Sequence, residues 1–478
     1  MRNHSILALV IIALLAGTAT EAKYSGGTGE PNDPYKIATA EDLNDIGNHL
    51  EDRGNHFKLI ADIDLSVYTG TQFNIIGKSV NQVFGGVFDG NQHIISNFTW
   101  LSDGINYVAL FGYSGGQIRN LGMEGVNIQA GNGSYVGGLV GINYSLGITN
   151  CFSTGRIFGK RLVGGLVGLN YGAITACYSK AKIMGIDVLG GLVGEMDQGT
   201  ITSCYTTGGV SGTGSDIGGL VGWSGGTITN CYSTSAVSGN GGLVGTSARG
   251  IISYCYSIGS ITGHNSSGGL VGHNRSESII IECYSASNIS ADQYDGGLVG
   301  FNEGMITDSY STGNVSSIKN GIHGGLVADN RGTIINCYST GSVSGTDGGL
   351  VGLQVGGQVT ASFWDQQTSG QSKSAGGTPK TTAEMKTKST FTDAGWDFMN
   401  VWDICEGTNY PKLIWQIPIA DFACPDGVDF VDLGFFVDRW LADCDKNNNF
   451  CNCTDINYDG RVNFLDFAIF ASHWLEEM

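Results

Sequence analysis

The chain has 478 residues, 77 of them glycine and only 6 proline, with 14% charged residues and a net charge of −19. Such acidity excludes nucleic acid as the natural partner, because neutralising phosphates requires a basic face; it favours solubility and cation binding and leaves the fold open. Length alone suggests about three domains, but a recurring phrase overrules that in favour of one long solenoid with caps and a small tail.

Residues 1–22 begin with Arg2, run through an apolar core from Ile6 to Leu15 and end Ala-Thr-Glu-Ala22. This pattern predicts a secretory signal peptide cleaved near Ala22. The apolar core is short for an uncleaved anchor. No other stretch approaches a transmembrane helix, so the expectation is an exported chain with no membrane span after cleavage. Residues 23–105 read as a leading cap and first coil. Tyr24–Tyr35 is turn-rich. Ala38–His49, with Thr39 as a cap candidate and acidic residues behind it, predicts a short helix. Phe57–Leu65 alternates as a strand should, and Phe84–Gly90 reads as a divergent first coil. A helix over the first rung would shield an open apolar end and an unpaired strand edge.

Residues 106–365 carry the repeat. Gly-Gly-Leu-Val-Gly occurs eight times from Gly137–Gly141 to Gly348–Gly352, a ninth copy ends in Ala328, and Val108–Gly112 is a worn version. The leucines recur every 23 to 29 residues, the mark of stacked units that cannot bury an apolar face alone. A second column recurs in phase: Cys151, Cys177, Cys204, Cys231, Cys255, Cys283 and Cys337, with Ser309 and Ser362 in the same place, each followed by Tyr or Phe. Between the columns lie short runs of Ile, Val, Thr, Tyr and Ser separated by Gly, Asn and Ser, with no sustained helical period. The expected fold is all-β, a right-handed parallel β-helix of about ten to eleven rungs with caps. At ~4.8 Å per rung the repeats span on the order of 45 Å. Glycine suits tight corners that need positive φ. Ile148 and Phe152 share a parity that Cys151 does not, so either a bend or bulge lies there or one column faces out. Length variation is concentrated between the cysteine column and the next leucine, the half-rung where loops emerge.

The two phrases, Gly-Gly-Leu-Val-Gly and Ile148-Thr-Asn-Cys-Phe-Ser-Thr-Gly155, together with their spacing, resemble the GLUG repeat of secreted bacterial surface proteins, adhesin-like proteins and the flanks of some IgA-specific metallopeptidases. The resemblance covers roughly residues 106–365 and implies location and architecture, not chemistry. The metallopeptidases need a His-Glu-x-x-His zinc helix, and none of the eight histidines here makes that pattern.

Cysteines strung along a line suit neither a zinc site, whose ligands converge, nor disulfides, which want Cβ atoms closer than the ~4.8 Å between rungs; a packed ladder of small buried side chains is expected. Asn150, Asn230 and Asn336, each just ahead of a cysteine, predict an amide ladder. Convergent catalytic groups are scarce. Glu195, Asp197 and Asp187 flank one repeat, and paired carboxylates of unknown separation are thin ground for glycoside hydrolysis. Five of the nine basic residues between Gly137 and Phe363 fall in two neighbouring rungs: Arg156, Lys160, Arg161, Lys180 and Lys182. Arg156 and Lys182 lie equally far past their cysteines and should stack, giving a candidate patch for an acidic polysaccharide; the alternative is solvated charge compensating local carboxylates.

Residues 366–418 read as a trailing cap. Trp364, Trp396, Trp402 and Trp415, with Tyr410-Pro411, supply bulk to close the end, and Thr381–Lys386 has the form of a capped helix. Residues 419–478 differ. Asp455, Asn457, Asp459, Asn463 and Asp466 stand at positions 1, 3, 5, 9 and 12 of a calcium loop, with Gly460 at the sharp turn and the Arg461 carbonyl as a further ligand. Phe467–Leu475 should form the exiting helix. Upstream, Asp426–Asp432 and Leu433–Leu441 echo the pattern, one residue shorter and with Cys424-Pro425 where ligands belong. The pair resembles a type I dockerin, which implies Ca2+ and a cohesin-like or cell-surface docking partner. Cys405, Cys424, Cys444, Cys451 and Cys453 predict one or two disulfides of open connectivity. The reading is a secreted, non-catalytic, adhesin-like binding or scaffolding β-helix with a calcium-stabilised docking tail. The alternative is a dockerin-bearing polysaccharide lyase or glycoside hydrolase.

Overall fold

A computed structural model describes residues 23–144, 146–263, 266–317, 321–345, 348–424, 427–445, 451 and 453–474; the expected signal segment lies outside the described residues. The fold is an all-β parallel β-solenoid of about 11 turns, with six short helices among the described residues. It forms two compact units, one ending at Gly214 and the other beginning at Ser215.

In the first unit, rung stacking starts earlier than the repeat does. Tyr35–Ile37 pairs in parallel with His56–Leu59, that strand with Val87–Asp89, and that in turn with the long strand Gln117–Gln129. The segment read as a cap therefore contributes rungs of its own, ahead of the coil expected at Phe84–Gly90. Helix α1 (Ala40–Ile46) has the expected start: the Thr39 hydroxyl accepts from the Asp42 N–H, and the Asp42 carboxylate answers at the Thr39 N–H. It buries Leu43 and Ile46. The expected strand at Phe57–Leu65 is split into His56–Leu59 and Ile63–Asp64.

Each repeat supplies three faces. Ile118, Ile148 and Ile174 stack in register, as do Phe152, Tyr178 and Tyr205. Val140–Asn143, Val167–Asn170 and Val193–Met196 form a second face, and Ser134–Gly137, Arg161–Gly164 and Asp187–Gly190 a third. Leu139, Leu166, Leu192 and the Ile column are fully buried, so burial of the repeat's apolar side chains across rungs holds the stack together.

The parity conflict at the cysteine column is resolved by one backbone angle. The residue just before it is left-handed in four successive rungs of this unit: φ is 53° at Asn120, 52° at Asn150, 52° at Ala176 and 53° at Ser203. That turn lets Ile and Cys both face inward while the aromatic is half-exposed. Asparagine tolerates this region; alanine does so at a cost of roughly 1–2 kcal/mol that the stack must override. The turn also takes the next N–H out of the ladder. The Cys151 N–H donates to the Cys177 Sγ at 3.3 Å and the Cys177 N–H to the Cys204 Sγ at 3.3 Å. The second unit repeats this with Cys231 donating to the Cys255 Sγ at 3.4 Å, and with hydroxyls in place of thiols where Cys283 meets Ser309 and Cys337 meets Ser362, both at 3.1 Å. The column is thus a ladder of acceptors, and its seven cysteines are buried and outside any disulfide.

Corner glycines such as Gly147, Gly199 and Gly250 take positive φ, as expected of tight corners, whereas the paired glycines of the repeat phrase do not. They are required by close approach: a Cβ at Gly137 would collide with the Val140 carbonyl, and one at Gly165 with the Gly191 carbonyl and the Ser179 hydroxyl. A serine after the aromatic braces the same corner where Ser153, Ser311 and Ser339 donate to the carbonyls of Gly165, Gly325 and Gly349 at 2.6, 2.5 and 2.7 Å. The buried amide ladder lies on a different column from the one expected: Asn143 to Asn170 at 2.7 Å in the first unit, and Asn274 to Asn302 to Asn330 at 2.8 Å each in the second. Asn150 and Asn336 make single amide contacts, with Asn120 at 3.3 Å and with Asp308 at 3.1 Å.

In the second unit the aromatic column runs Tyr232, Tyr256, Tyr284, Tyr310, Tyr338 and Phe363. Thr378–Lys380 adds onto Phe363–Asp365, and helices α2 (Gln366–Ser369), α3 (Thr382–Met385) and α4 (Lys388–Thr392) follow. The chain then runs back along the flank of the rungs. The indole N–H of Trp396 donates to the Ala361 carbonyl at 2.8 Å, that of Trp402 to the Asp308 carboxylate at 3.2 Å and that of Trp415 to the Glu282 carbonyl at 3.0 Å. Tyr338 donates its hydroxyl to the Pro411 carbonyl at 2.6 Å. These tryptophans cover the side of the solenoid as a strap, which corrects the expectation that they close its end. Beyond the strap, helices α5 (Phe430–Val437) and α6 (Phe464–Ser472) pack through Val428, Phe436, Val462 and Phe470. Both helices begin a few residues ahead of the expected starts.

Candidate metal centre and charged rungs

Asp455, Asp459 and Asp466 bring their carboxylate oxygens within 4.8 Å of one another, and Asp455 and Asp466 are buried. The loop that does this is held by its own backbone. Gly460, at φ 94°, and Tyr458, at φ 58°, reverse the chain. The N–H groups of Asp459 and Gly460 donate to Asp455 at 3.1 and 3.0 Å. Asn463 caps α6, accepting from Leu465 at 2.8 Å, and Asp466 accepts from Asn457 and Asn463 at 3.1 and 2.9 Å. The Asn457 side chain reaches Asp459 at 3.1 Å, and that of Asn463 reaches the Arg461 carbonyl at 3.0 Å. The three carboxylates therefore converge on one small volume, and hydrogen bonds tie Asn457, Asn463 and the Arg461 carbonyl into the same loop. The donors are hard oxygens, and three carboxylates so close repel one another unless a cation lies between them. The residues fit a calcium ion: Asp455, Asn457, Asp459, the Arg461 carbonyl, Asn463 and Asp466 would hold it.

In the upstream copy the Asp-Gly step stands one residue nearer the last aspartate, as read from the sequence, but a further aspartate, Asp421, lies as far ahead of Asp432 as Asp455 lies ahead of Asp466. Asp432 accepts from Phe422 and Ala423 at 2.7 and 2.9 Å and from Asp429 at 2.9 Å, as Asp466 does from its own loop. Asp421, the residue the sequence reading missed, occupies the place of Asp455 and accepts from Gly427 at 3.0 Å. Its signal was available: Asp421 to Asp432 and Asp455 to Asp466 have equal spacing. Ala423 stands where the second loop has Asn457, and Pro425 and Asp426 lie outside the described residues. Here a disulfide, Cys405–Cys424, ties the loop to the strap, while a second, Cys444–Cys451, lies ahead of the second loop in sequence. A further cluster, His49, Glu51 and Asp52 in the first unit, already holds a cationic side chain, Lys23, which reaches Glu51 at 2.9 Å and Asp52 at 2.6 Å.

The basic residues of the first unit do not form one patch. Arg156 and Lys182 stack in register as expected, and Lys180 lies beside them over the Tyr178 ring at 5.3 Å. Arg161 belongs to another face, where it pairs with Asp187 at 3.3 Å, and Lys160 is exposed at the corner between. A groove of about 620 Å³ runs beside the stacked pair, lined by Val126, Ile128, Arg156, Phe158 and Met184 among others. The acidic trio separates likewise: Asp187 is held by Arg161, whereas Glu195 lies on the face that carries Leu169.

The GLUG motif matches residues 132–157, 213–238 and 296–316. A protein named as a Gly-rich membrane protein of Evansella cellulosilytica is 38% identical over 136 residues, which is 27% of this chain and 16% of the relative. Halomucin of Haloquadratum walsbyi is 33% identical over 157 residues, 31% of this chain and 2% of the relative. The chain thus spans a small part of the length of the curated relatives it matches. A crystal structure named as an immunoglobulin A1 protease of Bacteroides ovatus aligns with 82% of this chain and 95% of its own, at 19% identity and a TM-score of 0.38. No helix among the described residues is long and apolar enough to cross a membrane.

Proposed function

We propose that this solenoid of GLUG repeats is an exported, non-catalytic binding or scaffolding protein of the cell surface or its surroundings, adhesin-like, with a calcium-stabilised C-terminal module that docks onto a partner. The observation that carries the reading is the contrast between its parts. Rung side chains are committed to rung-to-rung contacts, while the tail's oxygen donors converge on one point. The names of the relatives, one at a membrane and one a halomucin, support a surface location.

A bound calcium ion would neutralise Asp455, Asp459 and Asp466 and fix the start of α6. The two loop–helix copies then present matching apolar side chains at their first turns: Phe430 and Val431, 75% and 64% exposed, and Phe464 and Leu465, 76% and 63% exposed. Large apolar groups held this far into solvent mark a partner surface, here for a cohesin-like protein or a cell-surface component. On the solenoid, Arg156, Lys180 and Lys182 would hold an acidic polysaccharide, with Lys160 and Arg161 contributing to the local charge.

A calcium titration tests the tail. Calcium is expected to raise the melting temperature of the full chain, and Asp459→Ala to abolish the shift; an unchanged shift in the variant would refute the loop. Incubation with insoluble and acidic polysaccharides, recording retention and released sugar ends together, tests the solenoid. Retention without product, weakened by Lys180→Glu with Lys182→Glu, supports the binding role. Product release would overturn it in favour of a polysaccharide-degrading enzyme.

A further inference from the structure

The strap reveals what the aromatic column of the solenoid can hold. In the second unit the column is a stack of nearly coplanar rings: Tyr256 and Tyr284 are 5.0 Å apart at 9°, Tyr284 and Tyr310 5.2 Å at 8°, and Tyr310 and Tyr338 4.8 Å at 2°. The strap lays an indole against it at successive places. Trp415 lies 6.4 and 6.0 Å from Tyr256 and Tyr284, and Trp402 lies 6.2 and 6.0 Å from Tyr310 and Tyr338. Each indole N–H ends on the left-handed residue beside the column: Glu282, Asp308 or Ala361. The Gln416 amide adds a bond to the Tyr310 hydroxyl at 2.9 Å. The stacked edges and the outward corner together therefore form a receptor for tryptophan.

The first unit carries the same receptor. Phe152, Tyr178 and Tyr205 stack 4.9 Å apart at 2° and 9°, and all three are half-exposed. The corner beside them makes the same backbone turn, with Lys180 lying over the Tyr178 ring at 5.3 Å. Ala176 has φ 52° where Glu282 has 51°, and the Ala176 N–H donates to the Thr202 carbonyl as that of Glu282 does to the Thr307 carbonyl, so the two residues share their turn and their ladder bond. We propose that this face of the first unit binds an extended polypeptide segment bearing tryptophan, supplied by a partner protein, in the way the strap lies on the second unit. A second copy of this chain is disfavoured as the source, because its strap is tethered to its own unit by the Cys405–Cys424 disulfide and by the contacts above. The proposal stands independently of calcium in the tail.

The test uses the full chain and a synthetic peptide of residues 394–418 carrying Cys405→Ser. Saturable binding is expected by calorimetry, with slowed amide exchange across 174–179 and 201–206. Trp402→Ala with Trp415→Ala in the peptide should weaken it about tenfold or more, since aromatic anchors dominate such contacts. Tyr178→Ala with Tyr205→Ala in the chain should remove it. The exchange readout on the unaltered chain decides the matter if that variant fails to fold. Absence of binding and protection at about millimolar peptide would overturn the proposal. So would binding indifferent to the peptide's tryptophans, protection produced by a neutral oligosaccharide instead of the peptide, or self-association of the chain through these tyrosines.

Discussion

The acceptor role of the cysteine column makes a prediction that packing alone does not. Cys177 accepts the Cys151 N–H at 3.3 Å and gives its own thiol proton to the Thr175 carbonyl at 3.2 Å, in a fully buried setting. Cys177→Ala leaves the Cys151 N–H without an acceptor, at about 1–3 kcal/mol, and removes burial comparable to one methylene, about 0.8 kcal/mol. Cys177→Val restores the volume but not the acceptor. Cys177→Ser restores the acceptor, as the chain itself does at Ser309, whose hydroxyl receives the Cys283 N–H and donates to the Thr307 carbonyl at 2.8 Å. The expected order of stability is wild type, then Ser, then Val and Ala. The loss of 1–3 kcal/mol should appear at the Cys151 amide as exchange accelerated about 5- to 150-fold, with urea unfolding for the whole chain. If Val equals or exceeds Ser, the column is merely a packed ladder and the argument fails.

Gly165→Ala should destabilise by about 1–3 kcal/mol or more, because its Cβ meets the Gly191 carbonyl and the Ser179 hydroxyl; an unchanged urea midpoint would count against close approach as the reason for the glycine pairs. Trp402→Ala should cost about 3–5 kcal/mol and raise proteolysis of residues 394–418 before that of the rungs. Glu384 is held below the ordinary glutamate range, first by the Thr381 N–H and then by the Thr381 hydroxyl. Its folded-state pKa is lowered, so α3 gains stability that is complete above the unfolded value of about 4.3 and lost as pH falls through the folded one. Glu384→Gln should flatten that acid limb when exchange at the Thr381 and Met385 amides is followed with pH.

Much of the solenoid was legible because its repeat is redundant: the leucine and cysteine columns report the same period independently, and the Arg156–Lys182 register follows from counting past Cys151 and Cys177. What escaped was whatever depends on backbone direction. A left-handed Ala176 or Ser203 carries no compositional signal, so the bend stayed ambiguous, and nothing in the repeat phrase told its close-approach glycines from the positive-φ glycines at the corners. The buried amide column at Asn143 and Asn170 was masked by the more conspicuous Asn-Cys pairs. In the tail, the convergence of Asp455, Asp459 and Asp466 was readable from their spacing. The first was misaligned because Asp426, beside a recognisable glycine, drew attention from Asp421. The strap was invisible for a different reason: nothing local tells a tryptophan which of several equivalent rungs it will meet.

The acceptor ladder also bears on how such a chain can change over evolutionary time. At Cys151, Cys177, Cys231, Cys283 and Cys337 a rung borrows the thiol or hydroxyl of the neighbour after it, so a duplicated copy of such a rung arrives with its hydrogen-bonding obligations already matched. Copy number can therefore drift by whole repeats wherever the flank is bare. Under the strap it cannot: Trp396, Trp402 and Trp415 are spaced to meet Ala361, Asp308 and Glu282, and one inserted repeat would slide at least one indole off its acceptor. The segment from Glu282 to Ala361 is then a fixed-length terminus, and unequal recombination would be purged there and tolerated elsewhere in the array.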